Sequence, residues 1–208
     1  MISHEYRCIF IHLPRTGGSS IDHALAGSDW WQIDAQTKHL TASQAKEKYR
    51  EYWNEYFKFS FVRDPAARML SCMKFGGYFS IGVQPGCTFA EFLRGYMRRF
   101  GHPVTLENDY RFTNEFSNPL AMPNAVYRNM LDQEIDFIGR FEQLDDGIRH
   151  IAATLNIPDL ELGHHAASSV LPKNDPYTAE EIELLESLFR HDLDHFGYKL
   201  PEPGDMPG

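Results

Sequence analysis

Short apolar segments alternate with helical patterns along most of the chain. Three of them, at about Tyr6–His12, Phe57–Val62 and Ile135–Phe141, have the length and the apolar and aromatic content that are typical of buried strands. Amphipathic helical patterns separate these segments from one another. This order predicts an α/β fold in three layers, with a central and mainly parallel sheet flanked by helices.

Six helices are predicted from apolar periodicity and from the residues that begin or end a helix. Thr41 and Thr178 each begin a capping box, and Asp64 followed by Pro65 is a typical helix start. From Gly101 to Pro123 the periodicity fades, and no regular structure is assigned there. The predicted helices are Gly17–Leu25, Thr41–Tyr49, Pro65–Lys74, Thr88–Phe100, Leu144–Leu155 and Thr178–Phe196.

The length and the composition are those of an ordinary globular protein. The 208 residues are enough for a substantial core, so we expect a single domain over residues 1–200 and a disordered Pro- and Gly-rich tail at 201–208. No apolar run approaches the roughly 18 residues of a membrane span, and no signal peptide precedes the first predicted strand. Cys8, Cys72 and Cys87 show no pairing or metal-binding pattern. We therefore expect a soluble, cytoplasmic protein with reduced thiols, and leave its oligomeric state open.

The charge balance limits the partners. There are 20 Lys and Arg against 29 Asp and Glu, a formal net charge of −9. Nucleic-acid binding depends on Lys and Arg that neutralise phosphates, so this excess of acid argues against a nucleic-acid partner. A small anionic ligand is still compatible, because one basic site can lie on an acidic surface.

Between the first predicted strand and the first helix lies a loop with an anion-binding composition. It consists of Pro14, Arg15, Thr16, Gly17, Gly18, Ser19 and Ser20. A helix N-terminus presents unpaired N–H groups and the positive end of the helix dipole, and so it attracts phosphate. Glycine lets the backbone approach a ligand closely, and Arg15 adds a fixed charge. The alternative is an ordinary strand-to-helix turn with a hydroxyl cap.

The loop differs from the one that binds ATP or GTP. That signature, GxxxxGK[ST], places a lysine after the glycines, whereas here Ser19 and Ser20 follow them and Arg15 precedes them. No apolar segment clearly ends in an aspartate that could hold magnesium, so ATP or GTP hydrolysis is disfavoured. Arg63 and Arg140 lie at or near the ends of the next two predicted strands, at the sheet edge where such folds bind ligands. Their placement strengthens the interpretation of a phosphate site.

Four segments of the sequence resemble the P-loop sulfotransferases, in the branch of the carbohydrate sulfotransferases. They extend over nearly the whole chain, and the first two together are specific. The segments are Phe10–Ser20, Phe61–Ser71, Phe137–Leu144 and Phe189–Tyr198. The resemblance implies the P-loop-type form of the three-layer fold, with 3′-phosphoadenosine-5′-phosphosulfate (PAPS) as the sulfate donor, 3′-phosphoadenosine-5′-phosphate (PAP) as a product, and no metal ion.

The resemblance also implies roles for single residues. The loop from Pro14 to Ser20 would hold the 5′-phosphosulfate, Arg63 and Ser71 the 3′-phosphate, and Lys173 would contact the nucleotide. The alternatives are a surface salt bridge for Arg63 and a small packing residue at Ser71. Many relatives carry lysine where this chain has Arg15. Arginine brings the same charge to the bridging oxygen but does not give up a proton, so a positioning role is kept and a general-acid role is not.

A base is needed to take the proton of the acceptor hydroxyl, and His39 is the predicted one. Sulfuryl transfer otherwise depends on positioning and electrostatics around an in-line nucleophile. The segment Lys38–Thr41 resembles the position at which carbohydrate sulfotransferases carry a catalytic histidine before a helix. A helix N-terminus also disfavours the imidazolium, which keeps the base neutral. The alternative is a solvated loop histidine.

Other histidines and one carboxylate are weaker candidates. We interpret His12 as a support of the loop geometry. His191 and His195 have a metal-like i, i+4 spacing, but they lie on the polar face of a helix without a third ligand. His164 and His165 lie in a loop that could face the ligand, and Glu142 is a second acid or base or merely a cap.

The sequence thus predicts a sulfotransferase that moves a sulfuryl group from PAPS to a hydroxyl of a glycan or another small acceptor. The alternatives are a nucleotide-binding protein without catalysis and a P-loop small-molecule kinase, against which the missing lysine argues. The acceptor is not determined, although aromatic and arginine side chains could line its site. These are Tyr78, Phe79, Phe89, Arg94, Arg98, Arg99, Tyr110, Arg111, Phe112 and Phe116.

Overall fold

A mainly parallel sheet of four strands organises the fold in the computed structural model, which describes residues 1–74, 82–100, 127–163 and 175–207. The strands are β1 (Ile2–Ser3), β2 (Cys8–Ile11), β3 (Phe57–Val62) and β4 (Phe137–Arg140), in the order β1-β2-β3-β4. β2, β3 and β4 are parallel, and β1 pairs antiparallel with β2. The carboxyl ends of the three parallel strands therefore meet at one edge of the sheet.

The helices agree closely with the sequence pattern. Every predicted helix is present, with ends that shift by no more than about one residue. They are α1 (Gly18–Ala26), α2 (Trp30–Asp34), α3 (Ala42–Lys48), α4 (Pro65–Lys74), α5 (Phe89–Phe100), α6 (Tyr127–Met130), α7 (Leu144–Leu155) and α8 (Ala179–Phe196). The predicted α/β class, with a mainly parallel sheet flanked by helices, is confirmed. Within the described ranges, no helix has both the length and the hydropathy that a bilayer crossing needs.

The chain divides into two compact units, and each has a core of its own. Residues Met1–Arg63 and Met130–Ala167 form the first, here called the sheet unit. Its core contains aromatic side chains of the strands together with apolar residues of α1 and α7; these are Phe10, Phe59, Phe61, Ile21, Leu25, Ile148 and Ile151. Thr41 begins α3 with a complete capping box, as predicted.

The second unit consists of residues Asp64–Asn129 and Ser168–Gly208 and is here called the helical unit. Its core joins α4, α5 and α8 through Leu70, Phe92, Tyr96, Leu185 and Phe189, among others. Asp64 caps α4, since its Oδ1 accepts from the Ala67 N–H at 2.8 Å, and Thr178 begins α8 with a complete capping box. Both caps were expected from the sequence.

Several short elements were not expected. β1 is only two residues long and forms by pairing with Cys8 and Ile9. The tryptophan-rich segment after Asp29 contains α2 and a 3₁₀ turn at Ala35–Thr37. The start of α2 is stabilised by Asp29, whose side chain accepts from the Trp31 N–H at 2.9 Å.

The last residues are hydrogen-bonded to the segment before α8. Tyr177 donates its N–H to the Asp205 carbonyl at 2.8 Å and accepts from the Gly204 N–H at 2.9 Å. The segment from Gly101 to Pro123 lies outside the described residues. Cys8, Cys72 and Cys87 are free cysteines. A single domain over residues 1–200 with a disordered tail stays a prediction.

Candidate active site

The loop between β2 and α1 makes a tight turn at the carboxyl edge of the sheet. Gly17, at the N-cap of α1, has φ +87° and offers no side-chain cap to the first N–H groups of the helix. Arg15 also has a positive φ, at +67°. The buried hydroxyl of Thr16 donates to the Leu13 carbonyl at 2.9 Å. Thr16 therefore shapes the loop through its side chain. The Ser20 N–H donates to the Gly17 carbonyl at 3.1 Å, and no side chain of the described residues caps the start of α1, a kind of helix end that attracts anions.

Gly18 is required by the close approach of His12. A Cβ on Gly18 would lie 2.1 Å from Nε2 of His12, a distance that real contacts do not reach. The imidazole thus packs directly against the first residue of α1. A Cβ on Gly17 would meet the Phe141 ring at 3.2 Å. Gly18 is thus explained by the His12 ring and Gly17 mainly by its positive φ, and His12 lies where it can support the loop geometry.

Arg63 follows β3 and braces the same loop. Its Nη1 donates to the backbone carbonyl of Arg15 at 3.4 Å. Its guanidinium carbon lies 4.4 Å from the centroid of the Phe141 ring, in a cation–π contact. The structure thus brings Arg63 and the loop together, and it adds Phe141 as a support that the sequence did not indicate.

Behind the loop lies a cluster of buried charges, which comprises His12, Asp22, Asp29 and Lys38. Oδ2 of Asp22 accepts from His12 Nδ1 at 3.1 Å and pairs with Lys38 Nζ at 3.2 Å. Lys38 also donates to Asp29, which accepts from the Trp31 N–H as well. Asp22 is 0 % and Lys38 2 % exposed, so the ion pairs replace water for both groups.

The electrostatics of the cluster fix its protonation at neutral pH. Burial alone would raise the pKa of Asp22, but His12 and Lys38 lower it to about 2. Burial lowers the pKa of His12, and the carboxylate of Asp22 offsets only part of that effect. At neutral pH the cluster therefore holds an aspartate anion beside a neutral imidazole.

His39 lies next to this cluster and is 8 % exposed. Its Nδ1 is 2.9 Å from the backbone carbonyl oxygen of His12. A carbonyl only accepts, so Nδ1 carries the hydrogen and Nε2 of the neutral ring keeps its lone pair. The His39 ring also makes edge contacts with the rings of His12 and Trp31, at centroid distances of 4.6 and 5.5 Å. This tautomer is the one in which Nε2 can take a proton.

Burial is the main reason that His39 is neutral. It lowers the pKa of the imidazole well below 6.5, and the charge that His12 would carry acts in the same direction. The sequence argument attributed neutrality to the helix N-terminus instead. The alternative of a solvated loop histidine is wrong, because the ring is buried and hydrogen-bonded.

Other predicted residues lie on other elements of the fold. Ser71 is half-buried on α4 of the helical unit, and Glu142 is exposed in the 3₁₀ turn Phe141–Gln143. His191 and His195 stack at 6.0 Å on the exposed face of α8. No group of three potential metal ligands occurs among the residues described.

The aromatic and basic candidates for the acceptor are only partly described. Phe89 is 3 % exposed and fills the core of the helical unit, the alternative to a stacking surface for a sugar. Arg94 pairs with Glu180 at 2.7 Å. The remaining positions with a predicted role lie, in part or whole, outside the described residues: Tyr78, Phe79, the Arg99 side chain, Tyr110, Arg111, Phe112, Phe116, His164, His165 and Lys173.

Sequence reasoning missed the buried partners of the site, above all Asp22. One signal was available, because Asp22 lies between Ile21 and Leu25 on the buried side of α1. A carboxylate on an apolar helix face needs a partner. The identity of that partner, ten residues earlier in the chain, depends on how β2 packs against α1.

A parallel sheet whose strand edge carries a glycine loop, a helix N-terminus and an arginine is an arrangement typical of α/β proteins that bind phosphate-like anions. The sequence matches the model of the Sulfotransferase family over residues 1–199, and the chain belongs to this family. It is 27 % identical over 184 residues to carbohydrate sulfotransferase 14 of Danio rerio, an alignment that covers 76 % of this chain and 48 % of the relative. The chain thus spans about half the length of that curated relative. No solved structure matches. The resemblance to the carbohydrate branch of the family is confirmed.

Proposed function

We propose that the protein transfers a sulfuryl group from PAPS to a hydroxyl of a carbohydrate. Membership of the sulfotransferase family supports the reaction, and the similarity to carbohydrate sulfotransferase 14 supports the class of acceptor. The observation that carries the proposal is the state of His39. His39 is a neutral histidine whose Nδ1 hydrogen is donated to the His12 carbonyl, so that Nε2 keeps the lone pair that a base needs.

The loop and Arg63 fit a donor with two anionic ends. Gly17 and Gly18 leave no side chain over the start of α1, so the backbone N–H groups can approach the 5′-phosphosulfate. Pro14, Arg15, Thr16, Ser19 and Ser20 complete this part of the proposed site. Arg63 holds the 3′-phosphate with its forked donors. Ser71 and Lys173 are included on the resemblance alone.

Residues of the sheet unit account for the proposed chemistry. Nε2 of His39 takes the proton from the acceptor hydroxyl while the oxygen of that hydroxyl forms a bond to sulfur. The bond between sulfur and the bridging oxygen breaks, and the leaving PAP takes that electron pair. Arg15 stabilises the charge that develops there, and the N–H groups of α1 stabilise the phosphate. The family resemblance requires no metal for this reaction.

Calorimetry with PAP, AMP and ATP tests the donor. The proposal expects PAP to bind more tightly than either, without magnesium. Equal affinity for AMP would reject the 3′-phosphate site, and metal-dependent ATP binding would favour a kinase.

His39→Ala tests the base. We expect turnover with a labelled donor to fall by about 10²–10⁴-fold, while PAP affinity stays within a few-fold of the wild type. An equal loss of both would reject the base role. PAP binding by a wild-type chain that sulfates no sugar, lipid or phenol would indicate a nucleotide-binding protein without catalysis.

A further inference from the structure

Asp22 is a fully buried carboxylate that the proposed reaction does not use. It lies on α1, four residues beyond the glycine that begins the helix. Oδ2 accepts from His12 Nδ1 and Lys38 Nζ, and the Trp30 N–H lies 3.4 Å away. Burying a charge in this way is costly unless the partners are fixed. The arrangement therefore holds His12 in one ring orientation.

His12 connects the two halves of the proposed site. The Nδ1 side of its ring faces Asp22, and the Nε2 edge packs under Gly18 at the start of the donor loop. Its backbone carbonyl accepts the Nδ1 hydrogen of His39. The His12 ring also makes an edge contact with the His39 ring, at a centroid distance of 4.6 Å. A rotation of the His12 ring would therefore disturb the loop through Gly18 and the base through this contact.

We propose that Asp22 is a positioning residue for sulfuryl transfer, because it fixes His12 and through His12 the orientation and tautomer of His39. This inference rests on the proposed function. Asp22 touches neither the loop backbone nor His39 by hydrogen bond, so it acts through His12. Lys38 balances the carboxylate and is itself held by Asp29, which also accepts from the Trp31 N–H at the start of α2.

Two pairs of variants isolate the His12–Asp22 hydrogen bond. Asn and Leu have nearly the same shape, but only the amide of His12→Asn can place an N–H where Nδ1 lies. Asp22→Asn keeps an oxygen for the donors that now meet at Oδ2. It removes the charge that pairs with Lys38, and it places an NH2 group where Oδ1, which has no hydrogen-bond partner among the described residues, now lies. Asp159→Asn is the control, because Asp159 is an exposed acid of the same unit.

We expect kcat to fall by about 10- to 100-fold in Asp22→Asn and in His12→Leu, and KM for PAPS to change less. His12→Asn should recover most of the kcat that His12→Leu loses. In the His12→Leu background, Asp22→Asn should cost nothing further, because the bond that it weakens is already absent. The proposal would be overturned if the losses of kcat in Asp22→Asn and His12→Leu were additive in the double variant. It would also be overturned if His12→Asn and His12→Leu were equally active.

The ¹⁵N spectrum of the His39 imidazole gives a readout that does not depend on activity. The wild type and the control Asp159→Asn should show the Nδ1–H tautomer of His39. Asp22→Asn and His12→Leu should each show a mixture of the two tautomers. A wild-type spectrum in every variant would overturn the proposal. If the wild type binds PAP but sulfates nothing, the proposed function fails, and the spectrum still decides whether Asp22 positions His39. Should Asp22→Asn not fold, the comparison of His12→Asn with His12→Leu decides the same question.

Discussion

The guanidinium of Arg63 donates to the backbone carbonyl of Arg15 at 3.4 Å and lies over the ring of Phe141. The side chain proposed to hold the 3′-phosphate is thus also a brace for the loop proposed to hold the 5′-phosphosulfate. Because one planar group performs both contacts, lysine is a poor replacement for it.

Substitution of Arg63 should therefore weaken binding at both ends of the donor. We expect Arg63→Lys to lower PAP affinity about tenfold and Arg63→Ala to lower it further, as measured by calorimetry. AMP lacks the 3′-phosphate, so the affinity of these variants for AMP should fall only if the contact of Arg63 with the loop contributes to binding at the 5′ end. An unchanged PAP affinity in Arg63→Ala would contradict a role in the 3′-phosphate site.

Gly18 should tolerate no side chain. In Gly18→Ala the new Cβ would lie 2.1 Å from Nε2 of His12, so the ring or the helix start must move. We expect a loss of about 1–3 kcal/mol in the free energy of unfolding, together with weaker PAP binding.

Gly27 provides the control for this change, at the other end of the same helix. It has φ +73° and nothing within 4 Å of its Cβ position, so Gly27→Ala introduces backbone strain without a clash. PAP affinity should stay unchanged in Gly27→Ala. Urea unfolding and calorimetry on both variants measure the free energy of unfolding and the PAP affinity. Normal PAP binding by Gly18→Ala would show that the His12 ring can move aside for the new methyl group.

The parts of the fold that local sequence determines were predictable. The order of strand, glycine pair and helix at residues 8–26 follows from composition, and the capping boxes at Thr41 and Thr178 define helix starts within a few residues. β1 exists only because Ile2 and Ser3 pair with β2, and α2 has too few residues for a periodic signal. Sequence pattern alone could not reveal either.

The candidate site divides in the same way. The glycine loop, Arg63 and His39 stand beside recognisable motifs, so sequence reasoning selects them, and their roles stay predictions. The support of His39 depends on contacts between elements. His12, Asp22 and Lys38 come from β2, α1 and the turn after α2, and only the folded chain brings them together. Burial, which keeps His39 neutral, is likewise a property of the packing.

The stability of the fold should fall as the pH decreases below about 6.5. Burial lowers the pKa of both His12 and His39, whereas the unfolded chain takes up these protons near the ordinary value. Protons therefore favour the unfolded state, by at most about 1.4 kcal/mol per pH unit for each histidine. Asp22, with a pKa of about 2, stays ionised between pH 5 and 7 and does not contribute.

Urea unfolding at pH 7.5, 6.5 and 5.5 measures this dependence. His39→Asn should reduce the slope between pH 6.5 and 5.5, since one of the two buried histidines is lost. Above about pH 6 the Met1 amino group, whose pKa burial lowers to about 6, adds to the slope in every variant. His191→Asn is the control, because its ring is exposed on α8 and should leave the slope unchanged. A free energy of unfolding that is flat over this range would contradict burial of neutral histidines.

Substitution of Arg15 should lower activity without lowering stability. Its φ of +67° is strained for any residue with a side chain, and Arg7, at +50°, shares that strain. Glycine relieves it at either position, so Arg15→Gly and Arg7→Gly should each keep the free energy of unfolding within about 1 kcal/mol of the wild type.

Only Arg15→Gly should lose turnover, because Arg7 is exposed and paired with Glu55 at 3.1 Å, a contact of little energetic weight. Assays of turnover and of thermal unfolding on both variants make the comparison. If Arg15→Gly keeps its turnover, the loop binds the donor through its backbone alone. If Arg7→Gly loses as much, the loss reflects the backbone rather than the charge, and Arg15 has no special role in stabilising the leaving group.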